Sequence, residues 1–113
     1  MKQLKYCLGT LAILLITNGP ALAAGPDLVQ GKAVYDKWCA PCHAPGNAYP
    51  GTMALATKYE GTIPAALIER TDITTDFVKQ FVRKGVSIMP FFRKTEITDA
   101  DLDNLAAYLA KKK

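Results

Sequence analysis

The sequence predicts a small all-α domain, and three observations favour this class. Apolar residues recur with helical spacing in several segments, and glycine and proline separate those segments. No segment shows the convincing polar and apolar alternation of a half-buried strand. Without the leader described next, about 90 residues remain, a length at which core burial alone is marginal. A buried cofactor would supply the missing apolar core.

Residues 1–23 have the pattern of a secretory signal peptide. Two lysines form a positively charged start, and a mostly apolar run of about 11 residues follows before the small-x-small cleavage site Ala21-Leu22-Ala23. We therefore expect residues 24–113 to form the mature domain. The apolar run is shorter than the roughly 20 residues that span a bilayer, so no stable membrane anchor is expected.

The charge of the mature domain argues against a nucleic-acid partner. The whole chain has a formal charge of +4, from 14 basic and 10 acidic residues. Removal of Lys2 and Lys5 with the leader leaves 12 basic residues against 10 acidic ones, a charge of +2. Nucleic-acid binding would require a strong basic stripe, which this balance does not provide.

Four helices are predicted in the mature domain. The first begins after the N-cap residue Asp27, and Thr74 is the N-cap of the third. Gly61 closes the second helix and Gly85 the third. The predicted helices are Leu28 to about Ala40, Thr52 to about Glu60, Thr75 to Lys84, and a final helix that begins after Thr98.

The final helix has the clearest pattern. Thr98 is its N-cap, and Asp101 stands at the third helical position in a variant of the capping box. The helix needs a partner for its apolar stripe, and the best candidate is the face of the first helix that carries Gly31 and Tyr35, four residues apart. The stripe consists of Leu102, Leu105, Ala106 and Leu109. In the third helix, Phe77, Val78, Phe81 and Val82 are predicted to form a buried face.

The motif Cys39-Ala40-Pro41-Cys42-His43 indicates covalent haem attachment. Each thiol can add to one vinyl group of the porphyrin, and the adjacent imidazole can bind the iron. A structural zinc site needs about four ligands, and the mature domain has no further Cys or His. A redox dithiol would be expected in a βαβ context, which the sequence does not show. The motif therefore predicts one haem c per chain, and haem attachment together with export indicates a bacterial periplasm.

The second axial ligand of the iron must be Met, Lys, an exogenous molecule or absent, because the chain has one histidine. Met89 is favoured, since it follows the helix end at Gly85 and precedes Pro90, which biases the residue before it to an extended conformation. Met53, ten residues after His43, is the rival and is expected to pack in the core near the haem instead. An iron with two protein ligands has no open site for substrate, so one-electron transfer is the expected function.

Residues around the haem are also suggested by the sequence. The other ring nitrogen of His43 needs an acceptor, and the turn 48–51 could offer the carbonyl of Pro50, although a turn with no haem role fits nearly as well. The residues available to line the pocket are Trp38, Leu55, Leu67, Ile68, Phe77, Phe81, Phe91 and Phe92.

Over roughly residues 31–109 the chain resembles the class I monohaem cytochromes c. The motif 39–43, the Gly31/Tyr35 pair, Met89-Pro90 and the run 105–109 carry the resemblance. It implies an all-α fold whose N- and C-terminal helices pack across a covalently attached haem.

By the same resemblance, Cys39 and Cys42 attach the haem, while His43 is the proximal iron ligand and Met89 the distal one. The chain departs from the family pattern at Pro50-Gly51, where the family usually shows Gly-Pro.

The run 87–97 is similar to the cytochrome subunits of flavocytochromes of the p-cresol methylhydroxylase and eugenol hydroxylase type. That similarity implies a flavoprotein dehydrogenase subunit that takes hydride from a 4-alkylphenol, and a downstream electron acceptor. The Met89 segment with Phe91, Phe92, Arg93 and Lys94 is a natural docking surface, with an apolar centre and a charged rim. An ordinary haem lining followed by a solvated basic pair fits these residues equally well. Two alternatives remain: a freestanding carrier between a dehydrogenase or respiratory complex and a terminal oxidase, and a haem enzyme or gas sensor with an open iron site.

Overall fold

The computed structural model describes residues 24–111, which contain helices and no strand, so the all-α prediction is confirmed. The predicted signal peptide lies outside the described residues. No helix within 24–111 is long and apolar enough to cross a membrane. The helices are α1 (Leu28–Trp38), α2 (Ala40–His43), α3 (Pro50–Tyr59), α4 (Thr75–Lys84) and α5 (Asp99–Ala110), with a 3-10 turn at Leu67–Glu69 before α4.

The predicted first helix is two helices, separated at Cys39. Its start is as predicted, because the Asp27 carboxylate accepts hydrogen bonds from the backbone N–H of Val29 and Gln30 at 2.9 and 3.1 Å. The prediction that it runs on to about Ala40 is wrong. Pro41 has no N–H to donate to the preceding turn, so a short α2 begins instead of a continuation of α1.

The second predicted helix begins two residues earlier than expected. Pro50 is the first residue of α3 rather than part of a turn, a position that suits proline because the first N–H of a helix has no partner within the helix. The helix ends at Glu60, which has a left-handed φ of 49°, and Gly61 continues the reversal with φ of 80°. Two residues therefore close α3, not Gly61 alone.

The bounds of α4 and the start of α5 are as predicted. The Thr74 hydroxyl accepts from the N–H of Phe77 at 3.2 Å, and Gly85 ends α4 with φ of 67°. The Thr98 hydroxyl accepts from the N–H of Asp101 at 3.1 Å and donates to its carboxylate at 2.9 Å. Both helix starts are thus determined by short-range side-chain bonds.

The core forms where α1 crosses α5, as the sequence predicted. A Cβ added at Gly31 would lie only 2.8 Å from Cβ of Tyr108, so the two helices approach as closely as glycine allows. Beside this contact the rings of Tyr35 and Tyr108 have centroids 5.8 Å apart. The buried core comprises Val34, Tyr35, Cys39, Ile73, Val78, Val82, Ile97, Leu102, Leu105, Ala106 and Leu109.

Only half of the buried face predicted for α4 is buried. Val78 and Val82 belong to the core, whereas Phe77 is 39% exposed and Phe81 is half-buried. The two phenylalanine rings pack on each other, with centroids 4.6 Å apart. The helix therefore faces the core with its valine edge, and its aromatic edge lies at the boundary of the protein core.

Candidate haem attachment site

The three residues of the predicted attachment motif lie within one helical turn. Cys39 caps the start of α2, and its carbonyl accepts from the N–H of Cys42 at 3.0 Å and of His43 at 2.8 Å. Cys39 is buried, Cys42 is exposed, and both are free thiols. The turn thus brings the two thiols and the imidazole close together along the chain, as attachment to one porphyrin requires.

Two hydroxyl groups hold this turn between its neighbours. Tyr35 of α1 donates to the carbonyl of His43 at 3.0 Å, and Thr52 of α3 donates to the carbonyl of Ala44 at 2.9 Å. From the sequence, Tyr35 was expected only to pack between helices, and Thr52 was expected only to be the first residue of a helix. Neither bond has a local sequence signal, because each joins residues eight positions apart across a change of direction.

The His43 ring packs directly on the backbone of α3. A Cβ added at Gly51 would lie 2.6 Å from the ring carbon Cε1 and 2.7 Å from the carbonyl oxygen of Cys42. Burial lowers the pKa of His43, which favours the neutral imidazole that binds metal ions.

The proposed acceptor for His43 is not the carbonyl of Pro50. The Nδ1 atom of the ring is buried and has no hydrogen-bond partner among the described residues. Pro50 opens α3, so its carbonyl is directed along that helix, towards the N–H groups of the following turn. With Nδ1 enclosed by protein, Nε2 is the ring nitrogen that remains available to a metal ion.

The thiols do not have the properties of a redox dithiol. Burial, together with the nearby Cys42, raises the pKa of Cys39 to about 12, whereas a reactive dithiol needs an accessible thiol with a lowered pKa. In the part of the chain that the structure describes, no group of three or more His, Cys, Asp or Glu side chains could hold a metal ion. The donor set of two thiols and an imidazole of lowered pKa fits covalent haem better than a redox dithiol.

Met89 lies in a tight turn between α4 and α5. Val86 and Met89 pair through their backbones, with N···O distances of 3.1 and 2.9 Å, and Ser87 in the turn has φ of 52°. The sequence predicted only an irregular segment here. Residues 85–92 are called the Met89 hairpin below. Met53 is 51% exposed at the protein surface, and α3 buries Thr52; that Met53 packs near the haem stays a prediction.

The Met89 hairpin contacts the segment that leads into the attachment motif. The ring of Phe92 packs edge-on against Trp38, which precedes Cys39, with centroids 5.7 Å apart. The N–H of Phe92 donates to the carbonyl of Val82 at 2.8 Å, which fixes the end of the hairpin on α4. The end of the Met89 hairpin is therefore packed against the end of α1, directly before the attachment motif.

The predicted docking residues differ in exposure and charge pairing. Phe91 is 61% exposed, but Phe92 is half-buried against Trp38. Arg93 pairs with Glu96 at 3.4 Å, and Lys94 pairs with Asp99 at 2.6 Å. The basic rim is thus largely neutralised within the chain. Ile88, on the same hairpin as Phe91, is 82% exposed.

Sequence reasoning missed Arg70, a cation that is only 5% exposed. Its guanidinium donates twice to Asp72, at 2.9 and 2.5 Å, and once to the hydroxyl of Tyr59 at 3.2 Å. These bonds tie the end of α3 to the segment before α4. The bond to Arg70 also holds the pKa of Asp72 below its ordinary value.

Comparison with known proteins gives consistent results. Residues 26–109 match a family model described as cytochrome C oxidase, cbb3-type, subunit III. Cytochrome c6 of Synechococcus sp. is 30% identical over 112 residues, which cover 94% of this chain and 91% of the relative. The 4-cresol dehydrogenase [hydroxylating] cytochrome c subunit of Pseudomonas putida is 31% identical over 98 residues, 86% of this chain and 72% of that protein. Cytochrome c-555 of Prosthecochloris aestuarii is 29% identical over 84 residues, 74% of this chain and 85% of the relative.

Proposed function

The chain belongs to the class I cytochromes c, electron carriers with covalently bound haem c, and we propose that Cys39 and Cys42 attach its single haem. His43 is the proximal ligand of the iron, and Met89 is the distal ligand. The observation that carries this assignment is the turn of α2, which holds the two free thiols of Cys39 and Cys42 and the partly buried imidazole of His43 within one helical turn.

The bound haem supplies an iron that gains and loses one electron, and thioether ligation raises its reduction potential relative to two histidines. Burial lowers the pKa of His43 and so favours its neutral imidazole, which packs against the backbone at Gly51. Tyr35 and Thr52 fix the backbone at the ligand and at the residue after it, through the carbonyls of His43 and Ala44. Two protein ligands leave no position for substrate, so the domain carries electrons and does not itself catalyse a reaction.

Extraction of haem with acidified organic solvent tests the attachment. The wild-type chain should keep its haem and show the corresponding added mass after denaturation. Replacement of Cys39 and Cys42 by serine should give a chain that releases all of its haem, because neither thioether bond can form. Haem that stays bound in the double variant would place the attachment elsewhere.

The proposed electron donor is a flavoprotein that dehydrogenates or hydroxylates a 4-alkylphenol, with this chain as its cytochrome subunit. The support is the similarity of this chain to the 4-cresol dehydrogenase cytochrome subunit, together with the resemblance of its run 87–97 to such subunits. The exposed side chains of Ile88 and Phe91, on the same hairpin as Met89, provide the apolar centre of the docking surface. Since Arg93 and Lys94 are already paired, we expect docking to depend on apolar contact more than on these charges.

Flavin-to-haem electron transfer in the reconstituted complex tests this surface. Phe91→Ala should slow the transfer and leave the absorption spectrum of the cytochrome unchanged. Val29→Ala is the matched control, because Val29 is an apolar side chain of α1 that is 82% exposed. Equal rates for Phe91→Ala and wild type would remove Phe91 from the docking surface.

A freestanding soluble carrier is the second candidate function. It is favoured by the cytochrome c6 relatives, which the chain matches over 91% and 87% of their lengths. Purification from the native source separates the candidates: a subunit co-elutes with a yellow flavoprotein, and a carrier elutes alone at its own small mass.

The proposed location is the periplasm, reached with residues 1–23 as a signal peptide. N-terminal sequencing of the purified protein should then begin at Ala24. An N-terminus that retains Met1 would contradict both the leader and the domain boundary.

A further inference from the structure

Arg83 joins three parts of the chain at the end of α4. Its Nη1 donates to the carbonyl of Phe92 at 3.0 Å, and its Nη2 donates to Oδ1 of Asp99 at 2.9 Å. Asp99 is the first residue of α5, and its other carboxylate oxygen accepts from Nζ of Lys94 at 2.6 Å. The Arg83 side chain is 23% exposed, so the bond to Phe92 is partly shielded from water.

The Met89 hairpin is tied to α4 at both of its ends. At the first end, a Cβ added at Gly85 would lie 2.7 Å from the carbonyl oxygen of Met89, so the hairpin folds back closely on the helix end. At the second end, the N–H of Phe92 donates to Val82 while its carbonyl accepts from Arg83. The last turn of α4 therefore holds both backbone groups of Phe92, three residues after Met89.

Between these ties, the hairpin is closed by its own backbone. The N–H of Val86 donates to the carbonyl of Met89 at 3.1 Å, and the N–H of Met89 donates to the carbonyl of Val86 at 2.9 Å. Because these bonds hold the turn together, the bonds at the two ends of the hairpin determine the position of Met89 relative to α4.

We propose that Arg83 is a positioning residue for Met89: it holds the carbonyl of Phe92 while anchored on Asp99, and so keeps the thioether at the haem iron. The inference rests on the proposed function in one respect, which is Met89 as the distal ligand. The planar guanidinium can serve both acceptors at once, whereas a lysine ammonium cannot reproduce this fork.

Added imidazole competes with the Met89 thioether for the ferric iron, so its apparent affinity measures how often Met89 leaves the iron. Arg83→Gln should raise the apparent imidazole affinity of the full-length haem protein about tenfold, the effect of losing one shielded hydrogen bond from a charged donor. The long-wavelength absorption band of ferric haem with a thioether ligand should weaken in parallel. Arg83→Lys should change both in the same direction, because the charge alone does not hold Phe92.

Lys79→Gln is the matched control. Nζ of Lys79 pairs with Asp103 at 2.6 Å, a second ion pair between α4 and α5 that does not involve the Met89 hairpin. This variant should stay within twofold of the wild-type imidazole affinity. The role of Arg83 is overturned if Arg83→Gln also stays within twofold, or if Lys79→Gln rises as much.

If Arg83→Gln does not accumulate with haem, the imidazole affinity of Asp99→Asn tests the proposal instead. This variant weakens the ion pair that anchors Arg83 and keeps the arginine itself. A rise of a few fold in imidazole affinity supports the proposal, and an unchanged affinity overturns it. A wild-type protein without the thioether band would overturn the assignment of Met89, and the role of Arg83 with it. If the wild-type protein shows the thioether band and the variants have the wild-type imidazole affinity, only the role of Arg83 is overturned.

Discussion

Replacement of Gly51 by alanine should disturb the proximal side of the haem. The added Cβ would lie 2.6 Å from Cε1 of His43 and 2.7 Å from the carbonyl oxygen of Cys42. Ordinary contacts of a Cβ begin near 3.4 Å, so the His43 ring or α3 must retreat by about 0.8 Å, the difference between 3.4 and 2.6 Å. The Cys42 carbonyl belongs to the backbone of α2 and cannot simply rotate away.

Two opposing terms set the size of the effect. Overpacking of this kind costs about 1–3 kcal/mol, while alanine in place of glycine within a helix gains up to about 1 kcal/mol. The net loss of about 1–2 kcal/mol corresponds to a fall of roughly 5–15 °C in the melting temperature of a domain of this size. A displaced His43 ring should also alter the visible circular dichroism of the haem.

Thermal unfolding of the haem protein, followed by haem absorption, is the assay. Gly25→Ala is the matched control, because a Cβ at Gly25 meets nothing within 4 Å and should change the melting temperature by less than about 3 °C. If Gly51→Ala melts as closely to wild type as this control does, the packing of His43 on α3 is wrong.

Three further predictions concern the ligand, the acid stability and the helix crossing. Met89→Ala should lower the reduction potential by on the order of 0.1 V, whereas Met53→Ala should leave it unchanged; equal potentials for both variants in a redox titration would exclude Met89 as a ligand. Below about pH 4 the free energy of unfolding should fall, because Arg70 holds the folded-state pKa of Asp72 below its ordinary value. The contribution of this pair is present above the unfolded-state pKa and is lost as the pH falls through the folded-state pKa. Urea unfolding of Asp72→Asn should therefore show a weaker loss at acid pH than wild type, and an identical pH dependence would refute the pairing. Gly31→Ala should lower the melting temperature by roughly 5–15 °C, since its Cβ would lie 2.8 Å from that of Tyr108, and an unchanged melting temperature would contradict the close crossing of α1 and α5.

The sequence predicted the features that depend on short-range chemistry. Asp27, Thr74 and Thr98 cap their helices through bonds to residues two or three positions ahead, so residue type and spacing were sufficient. The crossing of α1 and α5 was also predictable, because an apolar stripe must be covered and Gly31 marks a place where backbones can approach.

Features that depend on long-range placement were not predictable. The separation of α1 from α2 had a signal in Pro41, and the early start of α3 had one in Pro50, but proline alone does not say whether a turn or a helix follows. Nothing local marks Arg70 as buried. The bond from Thr52 to Ala44 arises only when α2 and α3 meet.

In the candidate site, too, only the features that depend on local spacing were predictable. The spacing of Cys39, Cys42 and His43 is local, and one turn of α2 is enough to bring them together. The assignment of Met89 as distal ligand stays a prediction, since it depends on how the Met89 hairpin packs on the last turn of α4. The pairing of Arg93 and Lys94 with acids could not be foreseen, and it shifts the expected docking surface towards Ile88 and Phe91.

The most direct test of a closed electron-transfer haem is the addition of carbon monoxide to the untreated ferrous protein. With His43 and Met89 both bound to the iron, the absorption spectrum should not change. Met89→Ala, under the same conditions, should show the shift of a carbon monoxide complex and so prove that the ligand can enter. A reversible shift in the wild-type protein would contradict the account, because it would show an iron site open to exogenous ligands.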